Sequence, residues 1–256
     1  MKNFKILHII NHLSFGGAAR SAISTAKYSS FFDRSYQHRL LSLLPADPKA
    51  VELAQKSGSI VVSAPDRSAI QQEIEAADIV HVHFWNNPEI YDVLRSKLPA
   101  GRLLLWFHIS GDQIPQIITQ ELIKFSDFAL ACSPYTYEHP AFQNLPSEVK
   151  ATKTGMVIAG TDFARFSHCQ SRSHETFNVG YIGMVDFIKM HPRYVPMSAA
   201  VDIPNVRFIV CGGGIQNYLS QQAQQLGAAA RFDFRGYVED IKSVIEVLDV
   251  YGYPLC

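Results

Sequence analysis

At 256 residues the chain is long enough for one large α/β domain or two smaller ones, and 47% apolar with 18% charged side chains is the composition of a folded globular protein. Its 23 basic and 23 acidic residues balance without a long run of either sign, which gives no sign of nucleic acid or an acidic membrane as the main partner and favours a small molecule. Disorder is excluded by the same numbers. Four widely spaced cysteines (Cys132, Cys169, Cys211, Cys256) include no C-x-x-C pair and read as reduced thiols, with Cys132 and Cys211 in apolar strand-like runs where burial is expected. The apolar run near the N-terminus is short, is broken by His8 and lacks a small-residue cleavage site, so it does not read as a signal peptide. No stretch reaches the about 18 apolar residues of a membrane span. The expected location is cytoplasmic, with contact at the inner face of the membrane left open.

In chain order, apolar runs alternate with amphipathic ones. Strands are predicted over 4–10, 36–44, 59–64, 78–84, 102–108 and 127–133, and helices over 18–32, 48–58, 68–77, 88–98 and 115–126. Such alternation specifies right-handed βαβ units and a parallel sheet covered on both faces. The rhythm stops at the polar, Ser- and His-rich stretch 161–177, which reads as a linker. It then restarts, with strands at 178–185, 206–214 and 231–237, helical segments at 191–201, 215–227 and 238–248, and an opening strand at 249–256. The expected organisation is a Rossmann-like domain over 1–160, the linker over 161–177, and a partial second Rossmann-like domain over 178–256. A strand at the very end should leave apolar surface near Val250 to Leu255 exposed, or covered by a second copy of the chain.

The stretch "HIINHLSFGGAARS" (8–21) carries an apolar segment through Gly16 and Gly17 into helix-forming residues, with Arg20 one turn in. A strand that feeds a helix through a glycine turn aims free N–H groups and the positive end of the helix dipole at whatever lies above the sheet, so an anion is the natural guest. A plain strand-to-helix turn is the competing reading, and the pattern is not the G-x-G-x-x-G dinucleotide fingerprint. His108 ends a strand at the carboxyl edge of the predicted sheet, where α/β ligand crevices form. His81 and His83 alternate on one strand and face the same side, a metal-ligand spacing for which the sequence shows no third ligand at a defined interval. Lys189 lies in a polar loop, where solvation is the ordinary fate of a lysine. Gly212 to Gly214 close the strand 206–211 and allow close approach of backbone or ligand.

Taken in order along the whole chain, "FGGAAR", "DIVHVHF", "LLLWFHISG", "ACSPYT", "VIAGTDFARFS", "VGYIGMVDFIKMHP", "VRFIVCGGG", "FRGYVEDI" and "DVYGYPL" resemble the motifs of the glycosyltransferase group 1 (family 4) enzymes, retaining transferases of GT-B architecture. That resemblance implies an α/β fold of two Rossmann-like domains with parallel sheets, the second incomplete, and transfer of a sugar from a nucleotide-sugar donor to a carbohydrate or lipid-linked acceptor. It implies His108 as the histidine that contacts the donor sugar, with Gly16, Gly17, Arg20, Ser133, Gly183, Lys189, Gly212 and Gly213 as donor- or acceptor-binding positions. The family needs no resident metal or other cofactor. Two departures stand out. The phosphate loop carries Met184 where the family has Arg five residues before Lys189, with Arg193 one turn beyond as a substitute charge, and the paired glutamates of the family lie beyond the sequence. On this reading the chain is a fragment without robust turnover of its own. A degenerate binding protein and a GT-B-type sugar-nucleotide epimerase are the alternatives; a dehydrogenase is disfavoured by the missing fingerprint.

Overall fold

The computed structural model describes residues 3–96, 98 and 102–253, which form two compact units that meet in sequence between Asp162 and Phe163. In the first, β1 (Phe4–Ile10), α1 (Gly17–Phe32), β2 (Tyr36–Ser42), α2 (Pro48–Lys56), β3 (Ile60–Ser63), α3 (Arg67–Ala76), β4 (Ile79–Phe84), α4 (Pro88–Leu94) and β5 (Arg102–Phe107) follow the predicted alternation. Asp47 and Asp66 start α2 and α3 by accepting from first-turn amides, the ordinary N-cap device. After β5 come the short antiparallel pair β6 (Asp112–Gln113) and β7 (Gln116–Ile117), then α5 (Gln120–Phe125), β8 (Phe128–Ala131), α6 (Pro134–Tyr137), α7 (Pro140–Gln143), α8 (Ser147–Lys153) and β9 (Thr154–Met156).

Seven strands pair in the order β3-β2-β1-β4-β5-β8-β9, all parallel. Alternation along each strand builds a core on both faces. Leu7, Ile9, Leu41, Val80, Val82, Phe84, Leu105 and Phe107 fill one side. Ile10, Leu13, Leu40 and, from α1, Ile23 with the small residues Ala19 and Ala22 fill the other. Each fully buried Leu, Ile or Phe contributes roughly 1.5–3 kcal/mol. The end of the unit is tied to α1: Ser21 Oγ donates to the Gly160 carbonyl at 2.8 Å, and Asp162 accepts from Lys27 at 2.5 Å and Tyr28 at 2.6 Å.

The second unit holds β10 (Phe177–Ile182), α9 (Tyr194–Ala199), β11 (Val206–Cys211), α10 (Gln216–Gln225), β12 (Phe232–Gly236), α11 (Ile241–Ile245) and β13 (Val250–Tyr251). Its strands are parallel, in the order β12-β11-β10-β13. The polar stretch read as a linker has ordered partners here: Arg172 pairs with the buried Glu246 at 2.6 Å, and His174 with Asp249 at 2.8 Å. Val250, Tyr251 and Tyr253 are exposed. Pro254, Leu255 and Cys256 lie outside the described residues.

The α/β class with two parallel-sheet units is as expected, and three local readings are corrected. The helix predicted over 115–126 is a hairpin followed by a short helix. Residues 115–118 commit their backbone to the hairpin, with Ile117 N–H bonded to the Pro115 carbonyl and Ile118 N–H to Gly111, and the helix begins only where Thr119 Oγ1 caps Leu122. The helix predicted over 88–98 stops at Leu94, with Lys97 outside the described residues. Cys132 is half-buried rather than buried, because it lies past the end of β8; Cys169 is also half-buried, and Cys211 is buried. No helix among the described residues is long and apolar enough to cross a membrane.

Candidate functional site

In the first sheet the strand order reverses between β1 and β4, and parallel sheets bind ligands outside their carboxyl edge at such a reversal. A hollow of about 220 Å³ lies there, lined by Ile10, Asn11, His12 and Ser14 from the end of β1, Gly16 to Ala19 from the start of α1, and Trp85 and Asn87 from the end of β4. Whereas Asp47, Asp66, Thr119 and Ser133 cap their helices with side chains, Gly16 gives α1 no side-chain cap, and no acidic residue stands in its first turn. The positive end of a 16-residue helix therefore faces the hollow without an internal counter-charge.

Neither glycine is there to satisfy the backbone. Gly16 has φ −66°, and a Cβ on Gly17 would meet nothing within 4 Å. What they leave is open space above the helix end. Arg20 is committed to the loop itself: Nε donates to the Phe15 carbonyl at 2.9 Å, and the guanidinium lies 5.2 Å from the centre of the Phe15 ring. It braces the glycine turn from behind and does not line the hollow. Ser133 caps α6, accepting from Thr136 N–H at 3.1 Å.

His108 follows β5 at the same edge, its N–H bonded to the carbonyl of Phe84, the residue before Trp85. It does not line the hollow. Its ring belongs to a larger group that sequence spacing did not reveal. His38, His8, His81 and His83 lie on adjacent strands with their rings on the α1 face of the sheet, and Trp106 stacks on His81. Burial, reinforced for His8, His81 and His83 by neighbouring imidazoles, keeps these rings neutral. It pushes His38 and His108 down to about 4 and His81 to about 3, and lowers His8 and His83 well below the ordinary histidine value.

The third partner absent from the sequence reading of His81 and His83 is His8: one nitrogen from each of the three rings lies within 4.8 Å of the others. His8 Nδ1 and His83 Nε2 are, however, already hydrogen-bonded to each other at 3.0 Å. The group also contains no carboxylate to offset a buried divalent charge, so its first use is as a hydrogen-bonded network. Other residues missed from sequence are His12, Trp85, Asn87 and Asn11, whose buried Oδ1 has no hydrogen-bond partner among the described residues. Their only signal was position just past a strand end.

The second sheet reverses between β10 and β13. Past β10, residues Gly183 to Val185 run against the glycine run after β11: Gly183 N–H bonds the Cys211 carbonyl at 3.0 Å, and Val185 N–H that of Gly213 at 2.9 Å. Lys189 is exposed in the turn that follows, where Asp186 Oδ1 accepts from its backbone N–H at 3.1 Å. Met184 is 59% exposed and has no charge to offer a phosphate. A larger cavity, about 690 Å³, opens at the opposite, amino edge of the first sheet. Its Arg39 and Glu73 neutralise each other in a two-bond pair at 2.6 Å and no helix N-terminus among the described residues faces it, so the smaller hollow is the better candidate.

No protein-family model matches the chain, and no curated protein matches it in sequence. Among solved structures, it is similar to a glycosyltransferase from Rickettsia africae ESF-5, at 14% identity and a TM-score of 0.73 over 98% of this chain and 73% of that one. It is also similar to Anabaena Alr3699/HepE, solved with UDP-glucose, at 18% identity and 0.75 over 99% and 74%. A third is WaaG, a glycosyltransferase involved in lipopolysaccharide biosynthesis, at 13% identity and 0.55 over 98% and 75%. The fold is thus that of the GT-B glycosyltransferases.

Proposed function

We propose that the protein is a nucleotide-sugar-dependent glycosyltransferase, acting with retention of anomeric configuration on a carbohydrate or lipid-linked acceptor. The observation that carries this reading is the uncapped N-terminus of α1 opening onto the hollow at the β1/β4 reversal. The first unit is proposed as the acceptor side, with the Gly17 amide available to an anionic group of either substrate, while the Gly16 amide already donates to Ser14 Oγ at 3.3 Å and would have to exchange that partner for the anion. The second is proposed as the donor side, with Gly183, Lys189, Gly212 and Gly213 along the phosphate loop and residues 161–177 as the connection. A leaving nucleoside diphosphate needs its developing charge met, and here amides and Lys189 would meet it, with no resident metal. His108, neutral and at the sheet edge, would hydrogen-bond the sugar.

UDP is the first nucleotide to test, since it is the one bound in the Anabaena neighbour. Titration calorimetry of the protein with UDP and UDP-sugars is expected to show binding, followed by transfer or donor hydrolysis at no more than a trace rate, as expected of a chain without robust turnover of its own. Gly17→Ala, whose Cβ would meet nothing within 4 Å, should leave melting unchanged and weaken binding at least tenfold, about 1.4 kcal/mol. His108→Ala should lower turnover about a hundredfold while binding persists. Failure to bind any nucleoside diphosphate or its sugars would end the proposal. Binding with no turnover would select the second reading, a noncatalytic sugar-nucleotide binder, which Met184 favours because it cannot form the fork an arginine gives a phosphate.

A further inference from the structure

Four imidazoles and one hydroxyl form an unbranched hydrogen-bonded chain across the first sheet. Ser29 Oγ lies 2.5 Å from His38 Nε2, His38 Nδ1 2.8 Å from His8 Nε2, His8 Nδ1 3.0 Å from His83 Nε2, and His83 Nδ1 3.0 Å from His108 Nε2. The residues come in turn from α1, β2, β1, β4 and the end of β5, and those four strands are neighbours in the sheet. Every link between rings joins one Nδ1 to one Nε2.

A neutral imidazole has one N–H and one bare nitrogen, so it donates at one end and accepts at the other. In an unbranched chain of such rings, the direction chosen at one end dictates the tautomer of every ring to the other end. The rings qualify because burial keeps them neutral. The Ser29 end makes the choice. Its hydroxyl carries one hydrogen, and His38 Nε2 is its hydrogen-bond partner among the described residues. If Ser29 accepted from His38, that hydrogen would have no protein acceptor among the described residues; donating to His38 leaves only lone pairs unused, the lesser loss.

With Ser29 donating, His38 carries its proton on Nδ1 and donates to His8, His8 donates from Nδ1 to His83, and His83 donates from Nδ1 to His108 Nε2. We propose that Ser29, His38, His8 and His83 are positioning residues that hold His108 as its Nδ1–H tautomer, so that the ring nitrogen left open at the carboxyl edge is a hydrogen-bond donor. His108 Nδ1 has no hydrogen-bond partner among the described residues, as this role requires. The ligand must then present an acceptor to it, a hydroxyl or phosphoryl oxygen. The inference rests on the proposed function only for the identity of that ligand.

The test is a long-range ¹H–¹⁵N correlation spectrum of the ligand-free, ¹⁵N-histidine-labelled protein at pH 7.5, which reads the protonated nitrogen of each ring. His8, His38, His83 and His108 are all expected as neutral Nδ1–H rings, the form that unconstrained histidine disfavours. Ser29→Ala, a half-buried helix position that alanine suits, should fold and should move His108 toward Nε2–H, three strands away from His38's neighbour on α1; Ser29→Thr should restore the wild-type pattern. A wild-type His108 protonated on Nε2 would overturn the proposal, and so would a His108 that ignores Ser29→Ala. Loss of the proton shared by His8 and His83, the mark of a metal held there, would overturn it too. If the tautomers are as stated and no nucleotide sugar binds, the functional reading fails while this one stands.

Discussion

Lowering the pH from 7 to 5 is expected to remove on the order of 5 kcal/mol from the stability of the first unit, enough to unfold a domain of ordinary stability. The cause is the set of buried rings His8, His81 and His83. Their folded-state values lie below the ordinary histidine value of about 6.5, so between pH 6.5 and the folded values the unfolded chain binds more protons than the folded one. Stability therefore rises with pH and is lost on acidification, by about 2 kcal/mol at pH 5 for each of His81, His38 and His108, whose folded values lie at about 3, 4 and 4. His8 and His83 act in the same direction. In the second unit the sign is opposite for His174, which its hydrogen bond to Asp249 raises, so its contribution is full at low pH and lost as pH rises. Both tryptophans, Trp85 and Trp106, belong to the first unit, and their fluorescence reports its unfolding alone. Urea transitions followed in this way should weaken steeply from pH 7 to 5. His81→Phe, which fills the stacking place between His83 and Trp106, should make that dependence shallower by one proton. A transition that does not change between pH 7 and 5 would mean that these rings are hydrated.

The same histidines show where a linear reading stops. The strands bearing His8, His38, His83 and His108 could be recognised from their apolar runs, and so could the parity that puts His81 and His83 on one face. That β1 lies between β2 and β4 is a property of the sheet order, and no local pattern carries it; hence neither the imidazole chain nor the hollow beside Asn11, His12 and Trp85 could be read from spacing. The uncapped start of α1 was legible, since Gly16 stands where a Ser, Thr, Asp or Asn would close the helix. Arg20 was not. Its bond to the Phe15 carbonyl depends on how the loop folds back, so a residue read as a ligand for an anion is found bracing the turn. The hairpin at residues 112–117 was missed for a related reason: its backbone partners, not its apolar pattern, decide where α5 can begin.

Gly212→Ala is expected to cost about 3 kcal/mol or more, while Gly213→Ala, one residue on, should change stability by less than about 0.5 kcal/mol. Gly212 has φ 146°, and a Cβ there would lie 1.6 Å from the Gly183 carbonyl oxygen, a backbone atom that no side-chain rotation can move away. Gly214 is placed in the same way, with φ 131° and a Cβ position 2.1 Å from the Val185 carbonyl oxygen. Both are needed because the loop after β10 and the loop after β11 are laced together by the bonds of Gly183 and Val185 to Cys211 and Gly213, and by Ile215 N–H to Val185 at 2.8 Å. Alanine at position 212 must part them, and the cluster around Tyr181, Val185 and Val210 opens with them. A Cβ added at Gly213 would meet nothing within 4 Å. Far-UV circular dichroism on heating should therefore show early melting in Gly212→Ala with the tryptophan signal of the first unit unchanged, and a wild-type curve in Gly213→Ala. Under the proposed function, Gly213→Ala should still weaken nucleotide binding, because the side chain occupies the space a phosphate would use. Equal stability losses at the two positions would show that the loops are not laced in solution, and no donor-side role could then be assigned to this glycine run.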